Sequence, residues 1–282
     1  MCFHLNTAEI YVPDNLPVED ALARTTHITV AAHQDDIEMM AAQPILECFH
    51  QEELWFTGVV VTDGSGSPRT GKYKDFSDEE MCALRTQEQF KAAAIGEYAA
   101  QFVLGYPSAT VKDRKYKDVM DDLVQILRAA KPQYVYTHNL ADKHDTHVAV
   151  ALRVIAAIHA MPVEERPAKL YGCEVWRGLD WLLDDDKVPM DLSEFVDLQT
   201  ALIEVFESQI AGGKRYGLAS MGRRQANATF FDSHKADSTT GLSFAMDMSS
   251  LITDENLSPL DFMHNLVERL SQDVTDRLQK FI

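Results

Sequence analysis

Short apolar runs alternate along the chain with longer segments in which apolar residues recur every three or four positions. Ile28 to Ala32, Leu54 to Thr62, Gln101 to Tyr106, Tyr134 to Thr137 and Leu170 to Trp176 are rich in Val, Ile, Phe and Tyr. The first four lack clean polar alternation, which predicts strands buried on both faces. Between them, helical patterns cover Glu38 to His50, Asp78 to Ile95, Asp113 to Ala130 and His147 to Ala160. Ser77 and Glu80 have the spacing of a capping box before the second helix, and Pro132 ends the third. This alternation predicts an α/β sandwich with a mostly parallel sheet and helices on both faces.

After Trp176 the pattern loosens. Asp184, Asp185 and Asp186 read as a solvated turn, and Leu198 to Ile210 as a helix ending at Gly212-Gly213. Leu260, Met263, Leu266, Val267, Leu270, Val274 and Leu278 make an amphipathic helix of the last segment, Leu260 to Ile282. Packing on the parent domain, or an interface in a homo-oligomer, explains that stripe better than a membrane does. No Pro/Gly/Ser linker divides the chain. One domain is expected over 1–282, with a core at about 27–210 and a C-terminal extension at about 230–282.

Composition narrows the partners. Among 282 residues, 44 acidic side chains face 26 basic ones, a formal charge of -18. Such a surface repels phosphate backbones and anionic lipid, so neither nucleic acid nor membrane is expected as a partner. The N-terminus lacks the basic and apolar regions of a secretory signal, and a cytoplasmic protein is the expectation. Cys2, Cys48, Cys82 and Cys173 are widely spaced and read as apolar thiols rather than a disulfide framework.

The candidate chemistry sits where predicted strands end. Ala32-His33-Gln34-Asp35-Asp36-Ile37-Glu38 follows the first strand, and in open parallel sheets ligands bind beyond the carboxyl ends of strands. An imidazole and two adjacent carboxylates suit a zinc site. Two neighbouring carboxylates ionise together only beside a cation or donors, so one Asp on a metal and one moving protons is a natural division. Taken alone, Asp35 and Asp36 read equally well as helix-capping acids. A second cluster, His138-Asn139-Leu140-Ala141-Asp142-Lys143-His144-Asp145-Thr146-His147, follows the fourth strand. Three-residue spacing lets His144 and His147 face one centre, and Asp142 or Asp145 is near enough to orient an imidazole.

Together these segments resemble the PIG-L/LmbE-like zinc deacetylases. His33-Gln34-Asp35-Asp36-Ile37-Glu38 is similar to that family's His-Pro-Asp-Asp-x-Glu signature, and Asp142-Lys143-His144-Asp145-Thr146-His147 to its Asp-x-His-Pro-Asp-His motif. Val60-Val61-Thr62-Asp63-Gly64 and Arg85-Thr86-Gln87-Glu88, with Gly96 and Leu104-Gly105 behind, match further pieces in the right order. The resemblance spans roughly residues 27 to 160, with weaker echoes at Glu174-Val175-Trp176 and Ser208-Gln209.

The resemblance implies a Rossmann-like fold and one zinc held by His33, Asp36 and His147, with an open position for water. It implies Asp35 as general base and His144 as the group that stabilises the oxyanion or protonates the leaving amine. The reaction implied is hydrolysis of an N-acetyl amide on an amino sugar or glycoconjugate. His and carboxylate ligands admit other divalent transition metals as well, iron and cobalt among them.

Three departures stand out. Gln34 replaces the motif's Pro, Met39-Met40-Ala41-Ala42-Gln43-Pro44 replaces a Gly-rich helix start, and Asp145-Thr146 stands where Pro-Asp is usual. The last displaces the acid that backs His144, leaving Asp142 and Asp145 as candidates. The flexible segment Gly64 to Lys74 carries Arg69, Lys72 and Lys74 and no acid, which marks Arg69 as a substrate-binding candidate or as part of a solvated loop. A second basic cluster, Lys214, Arg215, Arg223 and Arg224, invites the same idea.

Two readings compete with the hydrolase. A nucleotide- or phosphate-binding Rossmann-like protein would use Thr62 to Ser67, but no Gly-x-Gly-x-x-Gly follows the first strand. A non-catalytic metal-binding relative is the other, although every residue needed for ligation and base catalysis is present.

Overall fold

The computed structural model describes residues 1–282. Its strands are β1 (Glu9–Tyr11), β2 (His27–Ala31), β3 (Phe56–Thr62), β4 (Ala100–Tyr106), β5 (Tyr134–His138), β6 (Lys169–Cys173), β7 (Lys187–Asp191) and β8 (Leu242–Asp247). They form one sheet in the order β1-β4-β3-β2-β5-β6-β8-β7. The five central strands, β4 to β6, are parallel; β1, β7 and β8 pair antiparallel towards the edges.

The uninterrupted apolar runs have the expected cause. Every residue of β2 and β3 is buried, because helices cover both faces of the sheet. Successive side chains divide between two cores: Val59 and Val61 point into one with Phe102, Leu123, Ile126 and Val154, and Val60 into the other with Ile37, Ile45 and Phe206. The helix Asp78–Ile95 starts at Ser77 with both bonds of the predicted capping box in place. The helix Asp118–Ala130 ends ahead of Pro132, with Lys131 in the left-handed region.

Several expectations are revised by packing. The helix expected over 38–50 is two, Asp36–Met40 and Ala42–Cys48, broken at Ala41. The one expected over 198–210 is also two, Val196–Glu204 and Glu207–Ala211. A further helix, Tyr216–Phe230, was not anticipated, since Gly217 and Gly222 dilute its pattern. The segment beyond residue 230 is more than a helical extension, because β8 inserts between β6 and β7. The last helix, Pro259–Gln279, docks through Phe262, Met263 and Leu266, while Leu260, Val267, Val274 and Leu278 stay exposed. No helix is long and apolar enough to cross a membrane.

Connectivity positions the site. From β2 the chain proceeds outward to β3 and β4, then returns to β5 on the other side of β2 and moves outward to β6. The strand order therefore reverses between β2 and β5, and a crevice opens above their carboxyl ends. Both polar clusters emerge there.

Two outcomes test this packing. Phe102 is fully buried in β4 and meets Phe3 edge-on at 6.0 Å. Phe102→Ala is expected to cost about 3–5 kcal/mol in urea unfolding. The N-terminal segment is clamped by His4 Nδ1 at 2.8 Å from the buried Asp122, whose hydrogen bond raises the imidazole pKa. A raised folded-state pKa stabilises fully below the unfolded value near ~6.5 and is lost as pH rises through the folded value. The stability gap between wild type and His4→Ala should therefore be wider at pH 6 than at pH 9; equal gaps would refute the clamp.

Candidate metal centre

Past β2 the backbone turns sharply through His33, Gln34 and Asp35 into the helix Asp36–Met40. Asp35 adopts φ 90°, left-handed backbone that a non-glycine residue enters only when its surroundings enforce it. Arg85, from the helix Asp78–Ile95, enforces it here. Its guanidinium donates to the Gln34 carbonyl at 2.7 Å and the Gly64 carbonyl at 3.2 Å, and Gln89 Oε1 accepts from the Asp35 amide at 3.3 Å. Gln34 is buried and donates towards the carbonyls of Thr62 and Asp63, both at 3.4 Å, tying the turn to the end of β3. Gly64 completes the fit: at φ 76° a Cβ there would stand 2.5 Å from Gln34 Oε1.

Asp36 is the centre of the arrangement. Its Oδ2 accepts from the His33 amide at 2.9 Å and lies 3.1 Å from His33 Nδ1, 3.2 Å from His147 Nε2 and 3.6 Å from His138 Nε2. Burial alone would raise the Asp36 pKa, but these imidazoles, His147 foremost, hold it well below the usual carboxylate range. Burial also works against a charged His147, yet Asp36 and Asp142 outweigh it and push the pKa up to about 9. Asp35 goes the opposite way. Burial first, then the charge of Asp36, raises it well above the ordinary value, and Arg85 at 3.9 Å only partly opposes them.

The donor set fits a metal ion. His33 Nδ1, Asp36 Oδ2 and His147 Nε2 form a nearly equilateral triangle, since the two ring nitrogens are 3.2 Å apart. Ligands at ~2.0–2.1 Å from a tetrahedral zinc stand roughly 3.3 Å from one another. Two imidazole nitrogens face each other across that gap and need a proton or a cation between them. His138, a residue not singled out by its sequence spacing, completes an alternative set of Asp36, His138 and His147. Its Nε2 already accepts from the Ala32 amide at 2.8 Å, and its ring stacks on His147 at 3.9 Å between centroids. It is thus a wall of the site rather than a free ligand. The signal was available: His138 is the last residue of β5, at the crevice.

The second cluster arrives from the start of the helix Asp145–His159. His144 is half-buried, with its ring 5.0 Å from that of His33 and 4.5 Å from that of His147. Burial presses its pKa down. The two candidate acids behind it separate. Asp142 is buried and its Oδ2 lies 3.6 Å from His147 Nδ1, while Oδ1 accepts from the His144 amide at 2.9 Å. It therefore fixes the His144 backbone by a hydrogen bond and stands beside the His147 ring without bonding to it. Asp145 is exposed and faces neither imidazole closely enough to hydrogen-bond.

A cleft of about 340 Å³, lined mostly by polar residues, opens over these groups, bounded by Gly66, Ser67, Lys112, His144, Gln209 and Lys214 among others. Arg69 does not reach it. Its guanidinium donates to the carbonyls of Phe76, Ser67 and Ser65 and pairs with Asp78, so it braces the loop instead of serving substrate. Lys72 is likewise paired, with Glu207 at 2.6 Å. The cations that face the cleft are Arg85, Lys112 and Lys214. The faint echo at Ser208-Gln209 is structural: Glu88 accepts from the Ser208 amide and hydroxyl, and Ser67 donates to Gln209 at 2.8 Å. Arg224 is buried without a carboxylate partner. It donates to the Glu38 and Met39 carbonyls at 3.1 and 3.3 Å and so satisfies the C-terminal end of the short helix that carries Asp36. Burial lowers its pKa to about 10.

Residues 28–158 match the model of the PIG-L, GlcNAc-PI de-N-acetylase, family. A conserved protein of Thermus thermophilus superposes with a TM-score of 0.63 at 19% identity, covering 79% of this chain and 94% of that one. The N,N'-diacetylchitobiose deacetylase of Pyrococcus horikoshii gives 0.63 at 16% identity, covering 86% and 89%. A 4-carboxy-2-hydroxymuconate hydratase of Pseudomonas putida gives 0.61 at 16% identity, covering 79% and 95%. At these identities the likeness is one of fold.

The triangle makes a direct prediction. His147→Ala should abolish stoichiometric zinc uptake measured by elemental analysis. Asp142→Asn, which leaves the triangle intact but weakens its outer support, should lower zinc affinity about 10–100-fold in a chelator competition. Unchanged affinity in Asp142→Asn would remove that acid from the site.

Proposed function

We infer, because residues 28–158 match the model of the PIG-L family of GlcNAc-PI de-N-acetylases, that the chain is a metal-dependent N-deacetylase acting on an amino sugar or glycoconjugate. The observation that carries this reading is the triangle of His33, Asp36 and His147 with a free carboxylate, Asp35, and a free imidazole, His144, on the same cleft. Two imidazoles and one carboxylate leave a tetrahedral ion one open position, and zinc there would lower the pKa of a water to about 7.

The remaining steps belong to the protein. Asp35, left off the triangle and fixed by the strained turn, takes a proton from the attacking water at its carboxylate. Arg85 sets its charge 3.9 Å from that carboxylate. Water adds to the amide carbon, the C–N bond breaks, and the products are acetate and the free amine. His144, at the rim of the triangle, donates to the developing oxyanion or delivers the proton to the departing nitrogen. The polar walls of the cleft suit a hydroxylated amine, with Lys112 and Lys214 available to its hydroxyl or anionic groups.

The hydratase among the structural neighbours shares the fold, and nothing in this cleft favours an alkene over an amide. The phosphate-binding alternative loses support: Asp63 Oδ1 accepts from the Ser65 amide and hydroxyl, so the loop after β3 is closed on itself.

Asp35→Asn should retain zinc yet lower kcat/KM on N-acetylamino sugars by about 10²–10⁴-fold. Turnover unchanged in that variant would exclude Asp35 as the base. Stripping the metal with a chelator should abolish hydrolysis and zinc should restore it; turnover that persists without metal would sink the metal-dependent reading.

A further inference from the structure

A second cavity of about 130 Å³ adjoins the cleft and shares Met39, Trp176 and Tyr216 with it. Met39 follows Asp36 by three residues on the same short helix, so it stands on the border between the triangle and this cavity. The cavity's charged lining groups are already engaged. Arg224 donates to Gln199 and to the Glu38 and Met39 carbonyls, and Arg223 donates to the Val175 carbonyl. Glu174 accepts from Asn227 at 2.7 Å, the Leu179 amide at 2.9 Å and the Phe244 amide at 3.2 Å. What remains to meet a ligand is Met39, Val175, Ala219, the hydroxyls of Ser220 and Ser243, and the aromatic rings of Trp176 and Tyr216, which cross edge-on at 6.4 Å.

The two spaces thus differ in character. The wide cleft is lined mostly by polar residues and suits the amine half of an amide, whereas half of the residues around the adjoining cavity, past Met39, are apolar. An acetyl methyl would leave most of that cavity unfilled. We propose that it receives the acyl half of the substrate, and that the preferred acyl group is an aliphatic chain longer than acetyl. At roughly 30 Å³ per water-sized group, the space holds about four methylene-sized groups. The reaction is unchanged: water adds to the acyl carbon, the C–N bond breaks, and a short-chain carboxylate and an amine leave. The proposal rests on the hydrolase reading above, and its test separates the two.

The test uses zinc-loaded full-length protein and N-acyl glucosamines from acetyl to hexanoyl. kcat/KM is expected to rise about fourfold per methylene over the first two or three added carbons, then level off. In parallel, the affinities of acetate, butanoate and hexanoate are measured by calorimetry, and they should rise in the same order without any turnover. Ala219→Phe, placed on the exposed side of its helix, should collapse the hexanoyl-to-acetyl ratio towards one. The milder Ala219→Leu should reduce it partly, and thermal unfolding of both variants checks that they fold. Hydrolysis of acetyl with a flat or falling dependence on chain length would overturn the acyl pocket while leaving the deacetylase reading intact. Affinity that rises with chain length in a protein that hydrolyses none of the amides would support the pocket and overturn the hydrolase. Neither a kinetic nor a binding dependence on chain length would overturn the proposal outright.

Discussion

The buried Oδ2 of Asp36 is removed from water and met by His33, His147 and His138 within 3.6 Å, with the His33 backbone amide beside them. An uncompensated carboxylate in that position would be prohibitively costly, so the surrounding imidazoles cannot be rearranged independently of it. That constraint fixes where β2 and β5 must end relative to one another, because each strand delivers part of the compensation. A cation held by the same three atoms would discharge the facing nitrogens of His33 and His147, which otherwise share one carboxylate oxygen.

The surroundings are arranged in support of that oxygen. Arg85 and Gln34 hold the turn that leaves Asp35 beside the triangle but outside it. Arg224 caps the other end of the five-residue helix that carries Asp36, a helix too short to persist without tertiary support. Asp142 backs His147 from outside. The neighbouring acids Asp35 and Asp36 consequently have opposite electrostatics, one raised by burial and its neighbour's charge, the other lowered by imidazoles. Adjacent carboxyls driven apart in this way are suited to different tasks.

Much of this was legible in the chain itself. The five central strands follow from apolar runs that need burial on both faces, and the Ser77 cap follows from local hydrogen bonding. His33, Asp36, His144 and His147 were conspicuous because polar residues at strand ends have few structural reasons to cluster. Less legible were groups whose partners lie far away in sequence. Arg69 looked like a free cation, yet Ser65, Ser67, Phe76 and Asp78 consume its donors. Lys112 carried no signal of its own, and it faces the cleft together with Lys214. β7 carries a Pro and β8 alternates over only six residues, so neither announces itself as a member of the sheet.

The sequence by itself determined the layered α/β class, the two clusters and their likeness to a deacetylase family, because hydrophobic period and motif spacing are local properties. Only the tertiary structure decided that β2 and β5 are neighbours, which turned two separate clusters into one triangle. It also decided that Asp142 stands beside His147, that Asp145 faces solvent, and that a second cavity adjoins the cleft at Met39. Those outcomes depend on which side of the sheet each crossover takes and on how buried charges find partners across more than a hundred residues. No local pattern encodes that.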